Sequence, residues 1–232
     1  STFAGNPYFI SLEDLIEEKL LTREECESCD WGGSESYVDY EKMYMSRYKL
    51  LRKAYERSDF LKDKDYEIFL KEEKNWLTDY CLFMAIKNSQ KGICWIDWPD
   101  ELKDRHSKAV KEAEKELETE INFYRFQQYC FTTQWRKLKK YANKKGISII
   151  GDVPIYVALD SSDAWANPEM LQFDKDHNPK SVAGCPPDAF SATGQLWGNP
   201  LYDWKKLKAS GYDWWVQRMK HCLELYDVVR ID

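Results

Sequence analysis

The sequence predicts an α/β chain in which helices alternate with short parallel strands, and three observations carry that prediction. First, Trp135, Leu138, Tyr141 and Ala142 share one helical face that stops at Lys144-Lys145-Gly146, basic residues followed by glycine. The run Ile147 to Val157 that follows is rich in β-branched residues, the pattern of a parallel strand covered on both faces. Second, the unit recurs: Trp214, Trp215, Met219, Cys222 and Leu223 supply a helix, and Tyr226 to Asp232 a second apolar strand. Third, both strands run out at a carboxylate, Asp152 and Asp232. A (β/α) barrel and an open doubly wound sheet fit this rhythm equally, because both gather reactive groups at the carboxyl ends of their strands.

Upstream, Phe3-Ala4-Gly5-Asn6-Pro7 reads as a tight turn, and Ser11 as the cap of a helix with Leu12, Leu15, Ile16 and Leu20 on one face. Gly32-Gly33 breaks that pattern. Tyr37 to Tyr129 is charged and helical in period, most clearly at His106, Ala109, Val110, Ala113, Leu117, Ile121 and Tyr124. Its acids and bases read as a solvated face held by local ion pairs. Gly92 to Pro99 separates two of these helices, with Trp95 and Trp98 expected to pack.

Composition narrows the function classes. Among 232 residues, 34 Lys and Arg face 40 Asp and Glu, a net charge of −6 without a basic stripe, so no nucleic-acid partner is expected. Hydrophobic residues at 43% and aromatic residues at 15% can build a core, which excludes disorder. No stretch approaches the roughly 18 apolar residues of a membrane span and no basic-then-apolar leader opens the chain, so a soluble, cytoplasmic protein is expected. Seven scattered cysteines suit a reducing compartment. Cys26 and Cys29 form a C-x2-C pair without a second pair at zinc-finger spacing, and no metal site is expected.

Between the two helix–strand units lies an excursion, 158–203, far longer than the usual βα loop. It holds Gly184-Cys185-Pro186-Pro187-Asp188-Ala189-Phe190-Ser191 and Gly194-Gln195-Leu196-Trp197-Gly198-Asn199-Pro200-Leu201-Tyr202. Aromatic faces, amides and a carboxylate on stiff backbone suit a sugar, which offers an apolar C–H face ringed by hydroxyls. The plainer alternative is that Trp197 and Tyr202 staple the excursion to the body.

The ordered set Gly151 to Ala158, Asp160 to Ala166, Gly184 to Phe190, Gly194 to Tyr202 and Arg230-Ile231-Asp232 closely resembles the 4-alpha-glucanotransferases, the amylomaltases or disproportionating enzymes of glycoside hydrolase family 77. Phe3 to Pro7 fits the same family near its amino terminus. The resemblance implies a partial (β/α)8 barrel of the α-amylase type, with the third and fourth strands present and a large helical insertion. On that reading 1–36 is a barrel-edge loop and helix, 37–129 a helical insertion subdomain, and 130–232 two helix–strand units with a long active-site loop at 158–203.

The implied reaction cuts an α-1,4-glucan and rejoins the segment to the 4-hydroxyl of an acceptor glucan or glucose with retention. Retention uses two carboxyl groups roughly 5 Å apart. By position in the motif, Asp232 is the nucleophile and Arg230 keeps that carboxylate ionised and oriented. Asp152 braces a sugar subsite, Tyr156 adds an aromatic edge, Asp188 and Trp197 contact the acceptor, and Asn199 shapes the loop. Maltooligosaccharides or starch- and glycogen-type α-glucans are the implied partners, with no cofactor. The family's acid/base Glu and third Asp lie after the strand ending in Asp232, so the 232 residues alone are expected to be inactive.

Two other readings compete. A non-catalytic α-glucan-binding module would use the aromatic loop without chemistry. A metal-dependent barrel enzyme would use Asp152 and Asp232 as ligands and needs a strand-end histidine, whereas His106, His177 and His221 fall on helix, loop and helix.

Overall fold

Caps decide where the amphipathic stretches become helices. In a computed structural model describing residues 1–232, Ser11 starts α1 (Leu12–Glu17), its hydroxyl accepting the Asp14 N–H at 3.1 Å. Thr22 and Glu25 close a capping box on α2 (Arg23–Glu27). The chain entering α1 is tied to a later helix by two glutamines: Gln128 exchanges hydrogen bonds with the Gly5 backbone at 2.7 and 2.9 Å, and Gln134 with that of Ser11 at 2.7 and 3.3 Å. A Cβ on Gly5 would lie 2.0 Å from the Phe131 ring, so the turn needs glycine for close approach.

The helical segment comprises α3 (Tyr40–Arg57), α4 (Lys64–Glu72), α5 (Lys74–Ser89), α6 (Asp100–Lys103), α7 (Ser107–Glu116) and α8 (Glu118–Lys144). The helical face running from His106 to Tyr124 is interrupted: Leu117 leaves helical geometry at φ −104°, ψ 17° between α7 and α8. Gly146 ends α8 with a left-handed φ of 73°.

Leu50 and Leu51 of α3, Leu77, Phe83 and Ile86 of α5, and Ile121 and Phe126 of α8 are buried in one cluster. Ile10 and Leu15 join it from the amino-terminal side, Trp165, Leu171 and Tyr202 from the carboxyl-terminal side, and Trp95 and Trp98 are buried within it. The division expected at 129/130 falls inside α8. The helical and helix–strand segments therefore share a helix and a core instead of meeting at a linker.

After α8 come β1 (Ile150–Val153), α9 (Ser162–Ala166), β2 (Val182–Cys185), β3 (Gln195–Pro200), α10 (Trp204–Ala209), α11 (Asp213–Leu225) and β4 (Val228–Ile231). β1 and β4 pair in parallel, Ile150 with Val228 through Val153 with Ile231. Beyond the strands the ladder continues from Asp232 N–H to Val153 carbonyl at 2.9 Å and from Ile155 N–H to Asp232 carbonyl at 2.7 Å. The β-branched run is thus a four-residue strand that Pro154, lacking an N–H, brings to its end.

Coverage of both strand faces is not observed. Gly151 and Val153 are buried, whereas on the opposite face Ile150 is 70% and its partner Val228 50% exposed; Ile231, which shares the face of Val153, is also 50% exposed. The excursion at 158–203 is not structureless either: β2 and β3 form an irregular antiparallel hairpin, and bridges join Leu171 to Tyr202 and Phe173 to Pro179.

Candidate active site

The parallel register sets the centre of the site. Asp152 and Arg230 are partners across β1 and β4, so their side chains leave the sheet side by side. Arg230 grips the Asp152 carboxylate at both ends: Nε donates to Oδ1 at 2.9 Å and a terminal nitrogen donates to Oδ2. The same guanidinium lies 3.6 Å from Asp232 Oδ2. The Arg230 hydrogen bonds and charge hold the Asp152 carboxyl below the usual carboxylate range, and Asp152 in turn raises Arg230. All three side chains are solvent-accessible. The motif suggests Asp232 as the arginine's main partner; the structure gives the two-pronged contact to Asp152 and a looser one to Asp232.

Beside this cluster the chain leaving β1 meets the hairpin. The Tyr156 ring stacks on Tyr202 at 6.2 Å and lies 6.5 Å from Trp197. Trp197, on β3, is half exposed and steadied by its Nε1–H donating to Gln195 Oε1 at 3.0 Å. Asn199 donates its amide to the Val157 carbonyl at 2.8 Å, pinning the hairpin to the segment after β1. Asp188 sits at the hairpin tip, where its carboxylate accepts the N–H groups of Phe190 and Ser191 at 2.9 and 2.8 Å. No hydrogen bond or ion pair joins Asp188 to the Asp152–Arg230–Asp232 cluster. Phe190, next to it, is 96% exposed.

Two residues support the site from beneath. Tyr202, which the sequence offers both as part of the sugar-facing aromatic set and as a staple, is 1% exposed, its hydroxyl donating to the Ile155 carbonyl at 2.8 Å as its ring supports Tyr156. Arg218 is buried on α11, its guanidinium against the backbone of Pro154 and Ile155. A signal existed: Arg218 stands in the apolar stripe Trp214, Trp215, Cys222 at helical steps of three and four.

Metal-ligating atoms gather elsewhere. Carboxylates of Glu73 and Glu224 and a ring nitrogen of His221 lie within 4.8 Å of one another. Glu73 already accepts Trp76 Nε1–H at 2.7 Å, and His221 Nε2 meets the Phe3 carbonyl at 2.9 Å, so both serve packing. Cys26 and Cys29 are both free thiols, and their carbonyl and sulfur groups serve local bonds around α2.

Comparison with known proteins converges. The chain is 46% identical over 233 residues to the 4-alpha-glucanotransferase of Clostridium butyricum, covering all of this chain and 48% of that protein. It is 42% identical over 236 residues to that of Thermus thermophilus, covering all of this chain and 46% of the relative. The chloroplastic or amyloplastic 4-alpha-glucanotransferase of Solanum tuberosum is 42% identical, with 98% of this chain and 40% of that protein covered. The chain thus spans about half the length of the relatives it matches. Among solved structures, the amylomaltase of Streptococcus agalactiae, in complex with acarbose, superposes with a TM-score of 0.93 at 38% identity, over 99% of this chain and 47% of that one. The amylomaltase of Corynebacterium glutamicum, at 20% identity and a TM-score of 0.74, shares the fold over all of this chain and 32% of its own. With the profile of the 4-alpha-glucanotransferase family matching residues 1–232, the chain belongs to that family, glycoside hydrolase family 77.

Proposed function

We propose that the protein is a 4-alpha-glucanotransferase that moves a segment of an α-1,4-glucan onto the 4-hydroxyl of an acceptor glucan or glucose by a retaining double displacement. The observation that carries the reading is the match of 99% of this chain to part of an amylomaltase, with Asp152, Arg230 and Asp232 together at the ends of two parallel strands. β1 and β4 are the third and fourth strands of a (β/α)8 barrel, 37–129 is its helical insertion, and the hairpin at 182–200 is the loop over the site.

In the first step an Asp232 carboxylate oxygen attacks the anomeric carbon while the glycosidic C–O bond breaks, and a second carboxyl group protonates the departing 4-oxygen. In the second, that group, now a base, takes the proton of the acceptor 4-hydroxyl as its oxygen displaces Asp232. Arg230, fixed by Asp152, holds Asp232 charged and aimed. Tyr156 and Trp197 offer aromatic faces to the sugar, Asp188 contacts the acceptor, and Asn199 keeps the hairpin against Val157. Water exclusion by the aromatic hairpin favours transfer over hydrolysis. No carboxyl group gathered beside Asp232 is assigned the acid/base role, because Asp152 is held by Arg230, and the 232 residues alone are expected not to turn over.

Incubating the full-length protein with maltotriose tests this. Glucose together with longer maltooligosaccharides is the expected product set, and none is expected from the 232-residue chain. Binding of maltooligosaccharides without any disproportionation by the full-length protein would leave the glucan-binding module as the correct reading.

A further inference from the structure

Arg218 spends a buried charge on two peptide carbonyls. The residue is 2% exposed and forms no ion pair, Asp163 acting on it only at longer range. One terminal nitrogen donates to the Ile155 carbonyl at 3.0 Å and the other donates to the Pro154 carbonyl. The guanidinium carbon sits 4.8 Å from the Trp215 ring centroid and 5.5 Å from that of Trp214, so aromatic faces take the place of a counter-ion. Burying a cation on such terms is costly.

The carbonyls it holds belong to the turn between β1 and the aromatic hairpin. Ile155 is a junction there: its carbonyl accepts from Arg218 and from the Tyr202 hydroxyl at 2.8 Å, and its N–H donates to the Asp232 carbonyl at 2.7 Å. On the same strand edge the Asp232 N–H donates to the Val153 carbonyl at 2.9 Å. The next residue, Tyr156, stacks on the same Tyr202.

We propose that Arg218, with the Tyr202 hydroxyl, is the positioning device of the site, fixing through the Ile155 backbone the height of Asp232 on its strand. Neither touches sugar; both act through Ile155. The proposal rests on the glucanotransferase reading, since it gives Asp232 a reacting geometry to hold. Misplacement of a reacting group by about 1 Å can cost on the order of a hundredfold in rate. A loosened Asp232 lowers turnover, whereas ground-state sugar contacts, spread over the hairpin, change little.

The experiment compares full-length wild type, Tyr202→Phe, Arg218→Lys and the double variant in maltotriose disproportionation, with circular dichroism and melting temperature as checks of folding. Tyr202→Phe keeps the ring stack and removes only the hydroxyl. Each single variant is expected to lose roughly tenfold or more in kcat with KM within about twofold. The double variant should lose less than the product of the single losses, because both groups act on one carbonyl. Unchanged kcat in folded Tyr202→Phe, a loss confined to KM, or multiplicative losses would overturn the proposal. If Arg218→Lys does not fold, Tyr202→Phe alone decides. Inactivity of the wild type would instead count against the glucanotransferase reading, which separates the two failures.

Discussion

Arg230 holds Asp152 across the β1–β4 pair more closely than it approaches Asp232 two residues along its own strand. Strand geometry explains the order: a register partner lies about 4.8 Å away, whereas residues two apart on one strand lie roughly 6.6 Å apart. Arg230→Lys replaces a planar fork by a single ammonium and cannot keep both contacts. The Asp152 carboxyl, now held below its ordinary range by Arg230, should then titrate higher, back towards the ordinary carboxylate range. Carboxyl-carbon NMR reads this directly, and an unmoved titration would contradict the pairing. Because the folded value is depressed, the pair stabilises above the unfolded carboxylate value and that contribution is lost as pH falls through the folded one. Both groups are exposed, so the stability change is small and the titration is the useful observable.

Asp232 carries the chemistry in the proposed mechanism. Asp232→Asn in the full-length protein preserves shape and removes the nucleophilic charge, so turnover of maltotriose should fall by at least about a thousandfold. Maltooligosaccharide binding, measured by calorimetry on the same variant, should persist. Retained turnover would remove Asp232 from the nucleophile role.

Trp197 is half exposed and bonded only to its neighbour Gln195, so little of the fold depends on it. Trp197→Ala should leave the melting temperature unchanged while weakening sugar binding by roughly tenfold, the order of one aromatic platform. The reading is KM for glucose as acceptor. A large drop in melting temperature with unchanged KM would show that the residue staples the excursion and nothing more.

The first helix–strand unit was legible from a basic stop and glycine at the end of α8 and β-branched residues after it, the second from the apolar helix face Trp214 to Leu223 and the strand that follows. Asp152, Arg230 and Asp232 followed as strand-end residues. The hairpin was not legible, because β3 reads Gln195-Leu196-Trp197-Gly198-Asn199-Pro200, with glycine and proline where a strand signal should be. The break at Leu117 was hidden because the apolar period runs on through it. Exposure of Ile150, Val228 and Ile231 could not be read at all, since β-branched composition reports the strand and not what covers it.

Gly184 tests whether the hairpin geometry matters. A Cβ there would lie 2.4 Å from the Gln195 carbonyl oxygen and 3.3 Å from Leu196 Cα, backbone atoms that cannot rotate away. Gly184→Ala should therefore pry β2 from β3 and displace Trp197, raising KM for maltooligosaccharides at least as much as Trp197→Ala does. Limited proteolysis should cut near 186–194 faster than in wild type; equal cutting rates and an unchanged KM would show that the strands adjust without loss.

Tyr48 and Tyr66 predict how the helical segment fails in alkali. Burial pushes each phenol up to about 12. An unfolded tyrosine ionises near 10. With the folded value above the unfolded one, keeping these phenols neutral stabilises the protein fully below about pH 10, and the contribution is lost as pH rises towards 12. The urea midpoint should therefore hold steady up to about pH 10 and fall beyond it. An ultraviolet titration of the 15 tyrosines should show a lagging fraction that ionises only as the circular dichroism collapses. Tyr80, Tyr124, Tyr129 and Tyr202 are raised by burial too, so substituting Tyr66→Phe removes one of several lagging groups and should shrink that fraction. A single ionisation step for all tyrosines, complete before any loss of helix, would mean that the pockets around Tyr48 and Tyr66 admit water.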